Sequence, residues 1–190
     1  HVRAHLNQKY GDQIVALDQA IPAHLLGNMW AQDWSYLYED LIPFRKQKSL
    51  NISKALQAKK YTPKSLTRLA EDFFTSLGFD PLPKTFWTRS LFEKPTDREV
   101  VCHASAWDVH YNNDLRLKMC VKIDQEDLII LHHELGHHYY FQSYYTLPII
   151  LQEGANDGFH EGIGDTLALS VTPQYLYQKG ILPQASENPK

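Results

Sequence analysis

The chain lacks any long run of one charge. Its 190 residues carry 19 Lys and Arg against 22 Asp and Glu, a formal net charge of −3. That balance gives no footing for nucleic acid or for an anionic membrane surface. No apolar run approaches the length of a membrane span. No internal repeat, low-complexity tract or obvious linker divides the chain. No signal peptide opens it, and the first residue is His1 rather than Met, so a processed or excised chain is expected. What is present reads as globular. Hydrophobic residues make up 43% and aromatic residues 12%, which excludes a disordered segment and suffices, at this length, for one domain with a real core.

Cysteine is scarce as well, with only Cys102 and Cys120. Two buried free thiols would suit a reducing compartment. The turn signal Asn112-Asn113-Asp114, however, lies near the midpoint between them. A hairpin closing there sets the two cysteines nearly opposite each other, within disulfide range. The placement therefore favours a disulfide and an oxidising compartment, hence a secreted protein or an anchored ectodomain. Asn51-Ile52-Ser53 is a glycosylation sequon and agrees with that reading.

The chemistry concentrates in Ile130-Leu131-His132-His133-Glu134-Leu135-Gly136-His137-His138, which contains His-Glu-x-x-His. On a helix, His133 and His137 lie one turn apart on the same face. Their imidazole nitrogens can then converge on one metal ion, with Glu134 at its edge. This is the zinc-protease spacing: two His ligands and a Glu as general base for a zinc-bound water. In a chain with 10 His the pattern also arises by chance, so a third ligand matters. Glu161, in Gly158-Phe159-His160-Glu161-Gly162-Ile163-Gly164-Asp165, follows His137 by 24 residues. That is enough to finish one helix, turn and enter an antiparallel second. Two His and a Glu, with a fourth position open to water, make a catalytic zinc set rather than a structural one. Asp165 lies one turn beyond Glu161 and suits a carboxylate that accepts the other N–H of a ligating His. A surface acid is the plainer alternative for it.

Along the chain, a short helix is expected to end at Gly11, and Pro22 suits the first turn of another. Leu25, Leu26, Met29 and Trp30 form an apolar stripe at helical spacing. Residues 40–51, with Pro43 and the basic cluster Arg45-Lys46-Gln47-Lys48, read as a solvated loop. Thr62 caps and Pro63 opens a clear helix whose apolar side holds Leu66, Leu69, Ala70, Phe73, Phe74 and Leu77. Residues 84–91 suit another short helix. The texture then changes: residues 99–108 and 115–123 read as the strands of one hairpin, the second alternating apolar and polar side chains. Asp124 caps a helix that carries the zinc motif to about Tyr145, and the Gly-rich run 153–158 leads into the Glu161 helix. Thr172-Pro173 opens a last helix, stopped by Gly180. The fold class expected is mainly α, a helical zincin-type metallopeptidase with a small antiparallel β-hairpin beside the zinc helix.

Several longer runs carry a resemblance. Residues 21–32, from Ile21-Pro22-Ala23-His24 through Met29-Trp30-Ala31-Gln32, resemble the same run in the angiotensin-converting enzyme family of zinc peptidyl-dipeptidases. So do Lys94-Pro95-Thr96-Asp97, Val100-Val101-Cys102-His103-Ala104-Ser105-Ala106-Trp107-Asp108, the His133–His137 motif and Gly158-Phe159-His160-Glu161. The resemblance covers nearly all of the chain. It implies that His133, His137 and Glu161 are the ligands of one zinc and that Glu134 is the general base. It also implies that His103 hydrogen-bonds the substrate beside the scissile bond, that the Ala104 backbone pairs with an extended peptide, that Gln32 binds the substrate's C-terminal carboxylate, and that Cys102 and Cys120 form a family disulfide.

Three residues depart from the family pattern: Asp157 where Pro is usual, Arg98 directly after Asp97 where Gly often intervenes, and His138 where an apolar residue is usual. Length departs further. Residues 1–190 match only the central part of a peptidyl-dipeptidase catalytic domain, with the zinc site in 100–171. Downstream groups that hold the substrate carboxylate and the transition state, most chloride ligands and the upstream lid helices are not among them. Chloride belongs to the full-length family member. The activity implied is release of dipeptides from peptides with a free C-terminus. Another helical zinc endopeptidase or carboxypeptidase is the alternative enzyme, and a non-catalytic fragment that keeps only the zinc site is the alternative class.

Overall fold

The computed structural model describes residues 1–27, 34, 37, 41 and 50–185. Met29, Trp30, Gln32 and the basic cluster 45–48 lie outside the described residues. The chain divides into two compact units, His1–Ser49 and Leu50–Lys190.

In the first unit, helix α1 (Val2–Tyr10) stops at Gly11, whose positive φ of 86° glycine takes without a Cβ penalty. Leu6 on this helix is buried with Val15 and Leu37 in a small core. Pro22, expected inside a first helical turn, has ψ 128° and stands just outside a 3-10 turn, Ala23–Leu25.

The second unit opens with α2 (Ile52–Ala58), where no helix was expected. Asn51 starts it: its side-chain oxygen accepts the Lys54 N–H at 2.8 Å. Ile52 and Leu56, one turn apart, enter the core. Helix α3 (Pro63–Ser76) begins in a capping box between Thr62 and Ser65. Leu66, Leu69, Ala70 and Phe74 are buried, while Leu77, past the last turn, is 57% exposed. A buried acid, Glu71, shares this face. It is satisfied on both oxygens, by the Leu82 N–H at 2.8 Å and by Arg68 at 2.7 Å. Short α4 (Lys84–Arg89) inserts Phe86 into the same core.

Strands β1 (Ser105–Asp108) and β2 (Leu115–Lys118) pair antiparallel, Ser105 opposite Lys118 and Asp108 opposite Leu115. The ladder is shorter than the expected strands, and another segment pairs along the far edge of the second one and its continuation. Leu91 donates to the Leu117 carbonyl and accepts from Met119, each at 2.8 Å, and Phe92 accepts from Val121 at 2.9 Å. Leu115 and Leu117 are buried and alternate with half-exposed Arg116 and Lys118, as a strand with one wet face requires. Beyond the ladder, Cys102 and Cys120 form a disulfide with Cα atoms 5.0 Å apart. Thiol titration of the denatured, unreduced protein made in an oxidising compartment should therefore find no free thiol. Replacing both cysteines by serine should lower unfolding stability by roughly 3 kcal/mol, the entropy of a loop of this size, read from denaturant titration.

Helix α5 (Gln125–Tyr144) starts at Asp124, whose carboxylate accepts the Asp127 N–H at 2.8 Å. Leu128, Leu131, Leu135 and Tyr139 bury one side of it, and the Tyr139 ring stacks on Phe74 at 4.3 Å. Helix α6 (Asp157–Ala168) is capped by Asn156, and α7 (Pro173–Gln178) by Thr172, with Gly180 at φ 66° beyond it. The two long helices touch at glycines: a Cβ placed on Gly136 of α5 would lie 3.1 Å from the Gly164 Cα of α6. That close approach brings side chains from both helices to one point. Among the described residues, no helix is long and apolar enough to cross a membrane.

Candidate metal centre

On α5, His133 and His137 project from the face turned toward α6. Their Nε2 atoms are 3.0 Å apart. Glu161, in the second turn of α6, brings Oε2 to 3.2 Å from His133 Nε2 and Oε1 to 3.8 Å from His137 Nε2. One nitrogen or oxygen from each of the three lies within 4.8 Å of the others. Two imidazoles and one carboxylate form a donor set suited to zinc, with a further position left for solvent or substrate. The residues therefore fit the metal that the motif implies.

The rest of each ring is held too. His133 Nδ1 lies 3.0 Å from Asp165 Oδ1, one turn along α6 from Glu161. His137 Nδ1 lies 2.6 Å from His160 Nδ1. Burial pushes the His137 imidazole down to about 4, His133 and His160 add to the effect, and Glu161 and Asp165 oppose it. The neutral imidazole this favours is the ligating form. Glu134, on the next α5 position, is buried, and that burial raises its pKa above the ordinary carboxylate range. The Glu161 charge acts in the same direction, while His133, His103 and the Ala106 main chain oppose it. A carboxylate raised in this way is a better proton acceptor at neutral pH.

His103 and Ala104 lead into β1 and, with His133, Glu134 and Glu161, line one cavity of about 750 Å³. A smaller recess of about 370 Å³ shares these residues and adds His137, Phe141 and His160. The His103 Nδ1 lies 2.8 Å from the Ala104 carbonyl oxygen, and its ring is exposed. Six of the residues singled out in the sequence are thus brought together. Asp165 joins them behind His133. Gln32 lies outside the described residues, and Asn51 is an exposed helix cap away from the cavity.

Two glycines set the spacing. A Cβ on Gly164 would fall 2.8 Å from His133 Nδ1, so Gly164→Ala should push the ring off its Asp165 partner. Zinc affinity should fall by about 10–100-fold, the scale for losing an outer partner of a ligand, as read by chelator competition, with helix content unchanged.

The departures from the family pattern have local explanations. Asp157 is the first residue of α6, where a negative charge is favoured. Arg98 pairs with Asp97 at 2.9 Å. His138 is fully buried, yet its ring nitrogens face the Glu134 and Arg116 carbonyl oxygens at 2.8 and 3.0 Å, which ties α5 to β2. His160 had been assigned no role from the sequence. Its position beside Glu161 was the available signal, and the contact to His137 emerges only once α5 and α6 cross.

Two imidazoles one turn apart on one helix, a carboxylate from a crossing helix and a buried Glu between them place the chain in the class of helical zincins. The comparisons name the family. A family model of M2 peptidases, described as angiotensin-converting enzyme, matches residues 1–190. The angiotensin-converting enzyme of Mesocricetus auratus is 51% identical over 184 residues, 96% of this chain and 14% of that protein. That of Haematobia irritans exigua is 45% identical over 184 residues, 96% of this chain and 30% of that protein. That of Theromyzon tessulatum is 43% identical over 190 residues, 100% of this chain and 31% of that protein. The chain belongs to the angiotensin-converting enzyme family, and it spans less than a third of the length of these relatives.

Proposed function

We propose that these residues form the zinc site of a peptidase that releases dipeptides from the free C-termini of peptides. The observation that supports this best is the convergence of His133, His137 and Glu161 at the edge of a cavity that also holds Glu134. Zinc, when bound there, supplies a Lewis acid that lowers the pKa of a water and polarises the scissile carbonyl. Glu134 accepts the proton of the attacking water and passes it to the leaving amine. His103, exposed at the cavity wall, donates to the substrate beside the scissile bond. The Ala104 main chain, just before β1, pairs with the extended peptide as an added strand would. Asp165 holds the His133 ring through Nδ1. Gln32 anchors the terminal carboxylate. Chloride, where it acts, belongs to the longer protein.

The Cys102–Cys120 bond supports a secreted protein or an anchored ectodomain, and the Asn51 sequon accords with that. Dipeptide release is proposed for a full-length family member that contains these residues, because the groups the resemblance assigns to the substrate carboxylate and the transition state are not among them. Mass analysis of products from a blocked tripeptide and a longer peptide tests the reading. Dipeptide products are expected; release of single residues or internal cleavage overturns it in favour of a carboxypeptidase or an endopeptidase. The absence of zinc-dependent cleavage would leave a binding module.

A further inference from the structure

His160 contacts the site without belonging to the candidate ligand set. We propose that it is a positioning residue that fixes the tautomer and orientation of His137, and that Gly154 is glycine in order to make room for it; the inference rests on the zinc reading above.

The two Nδ1 atoms, 2.6 Å apart, must share one proton. The His137 Nε2 faces His133 and Glu161, so it is the nitrogen whose lone pair serves a metal. A neutral imidazole has one N–H, and the His137 proton is therefore on Nδ1. His137 donates and His160 Nδ1 accepts. The His160 proton is then on Nε2, which is buried and has no hydrogen-bond partner among the described residues. A buried donor left unmatched is unfavourable, so something must hold the ring in place.

Packing supplies that hold. The ring lies 4.7 Å from the Tyr140 ring and 4.9 Å from that of Phe141, centroid to centroid. Gly154 also packs against it, where an added Cβ would sit 2.9 Å from the His160 Cδ2. The segment around Gly154 is itself tied down, since the Ala155 N–H donates to the Tyr140 hydroxyl at 3.0 Å. Gly154 is not in the left-handed region of backbone space, so space, not backbone conformation, explains the glycine. Each His of the motif thus has its own acceptor on α6: Asp165 behind His133, and a neutral His160 behind His137. A partner that orients the ring and raises its basicity strengthens the metal bond.

The test is zinc affinity by chelator competition on the whole chain. His160→Leu keeps bulk but no acceptor and should weaken zinc binding by about 10–100-fold. His160→Asn, which can place a carbonyl oxygen near the Nδ1 position, should recover most of the loss. Gly154→Ala should weaken binding in the parent but have no further effect in a His160→Ser background, where the ring is gone. A parent that binds zinc tightly and a His160→Leu variant that binds it equally well would overturn the inference and leave the zinc reading standing. A parent that binds no zinc overturns both. Should His160→Leu misfold, the Gly154 cycle decides: equal losses from Gly154→Ala with and without the His160 ring would overturn the inference.

Discussion

Glu134→Gln, made in a full-length family member carrying these residues, should cut turnover by about 10²–10⁴-fold, the range for losing a general base, with zinc content unchanged. The substitution keeps the side chain's shape and its buried place on α5. It removes only the group that can accept a proton, because a neutral amide has no basic lone pair to offer. The neighbouring proposed ligands His133 and His137 are untouched, so metal analysis should still return about one equivalent. KM for a blocked tripeptide should change little, since Glu134 is assigned to the chemical step and not to holding the substrate. A variant that retains parent turnover would remove Glu134 from the mechanism. A variant that loses its zinc would show that Glu134 supports the ligands, and the turnover loss would then say nothing about a base.

The hairpin, most helix starts and the shared face of His133 and His137 were legible because each depends on short-range chemistry. Asp124, Thr62 and Thr172 accept backbone N–H groups within three residues of themselves, and the His133–His137 spacing follows from the pitch of one helix. The Cys102–Cys120 pairing needed only a turn near Asn112 and two extended flanks. What stayed hidden depends on segments far apart in sequence. Leu91 and Phe92 pair along the far edge of the second strand and its continuation, and no local pattern announces that pairing. Helix α2 was missed because Asn51 was read for its sequon, while its side chain also caps. The Leu82 N–H that meets Glu71 comes from eleven residues on, and nothing local announces it. Gly136, Gly154 and Gly164 have no signature of their own, since what makes each of them small is a ring or backbone from another element. Leu77 fits the apolar period of α3 and is nevertheless exposed, because the period continues past the point where the helix faces its partner.

His133→Ala combined with His137→Ala should reduce zinc from about one equivalent to a level indistinguishable from background after dialysis. Glu161 alone cannot hold the ion: its side chain is 64% exposed, and a single carboxylate facing water competes poorly with the ion's own hydration. Asp165 does not replace the lost ligands, because in the parent its carboxylate turns to His133 Nδ1 and not to the shared point. Folding gives an independent readout. The proposed zinc ligands are groups that only the α5–α6 crossing brings together, so excess metal should raise the parent's unfolding stability by about 4 kcal/mol at a thousand times its dissociation constant. The double variant should show no such shift, while its helix content stays close to the parent's, since alanine favours a helix more than histidine does. An equal zinc content and an equal stability shift in the double variant would place the metal elsewhere and remove the basis for assigning a peptidase centre to this crossing.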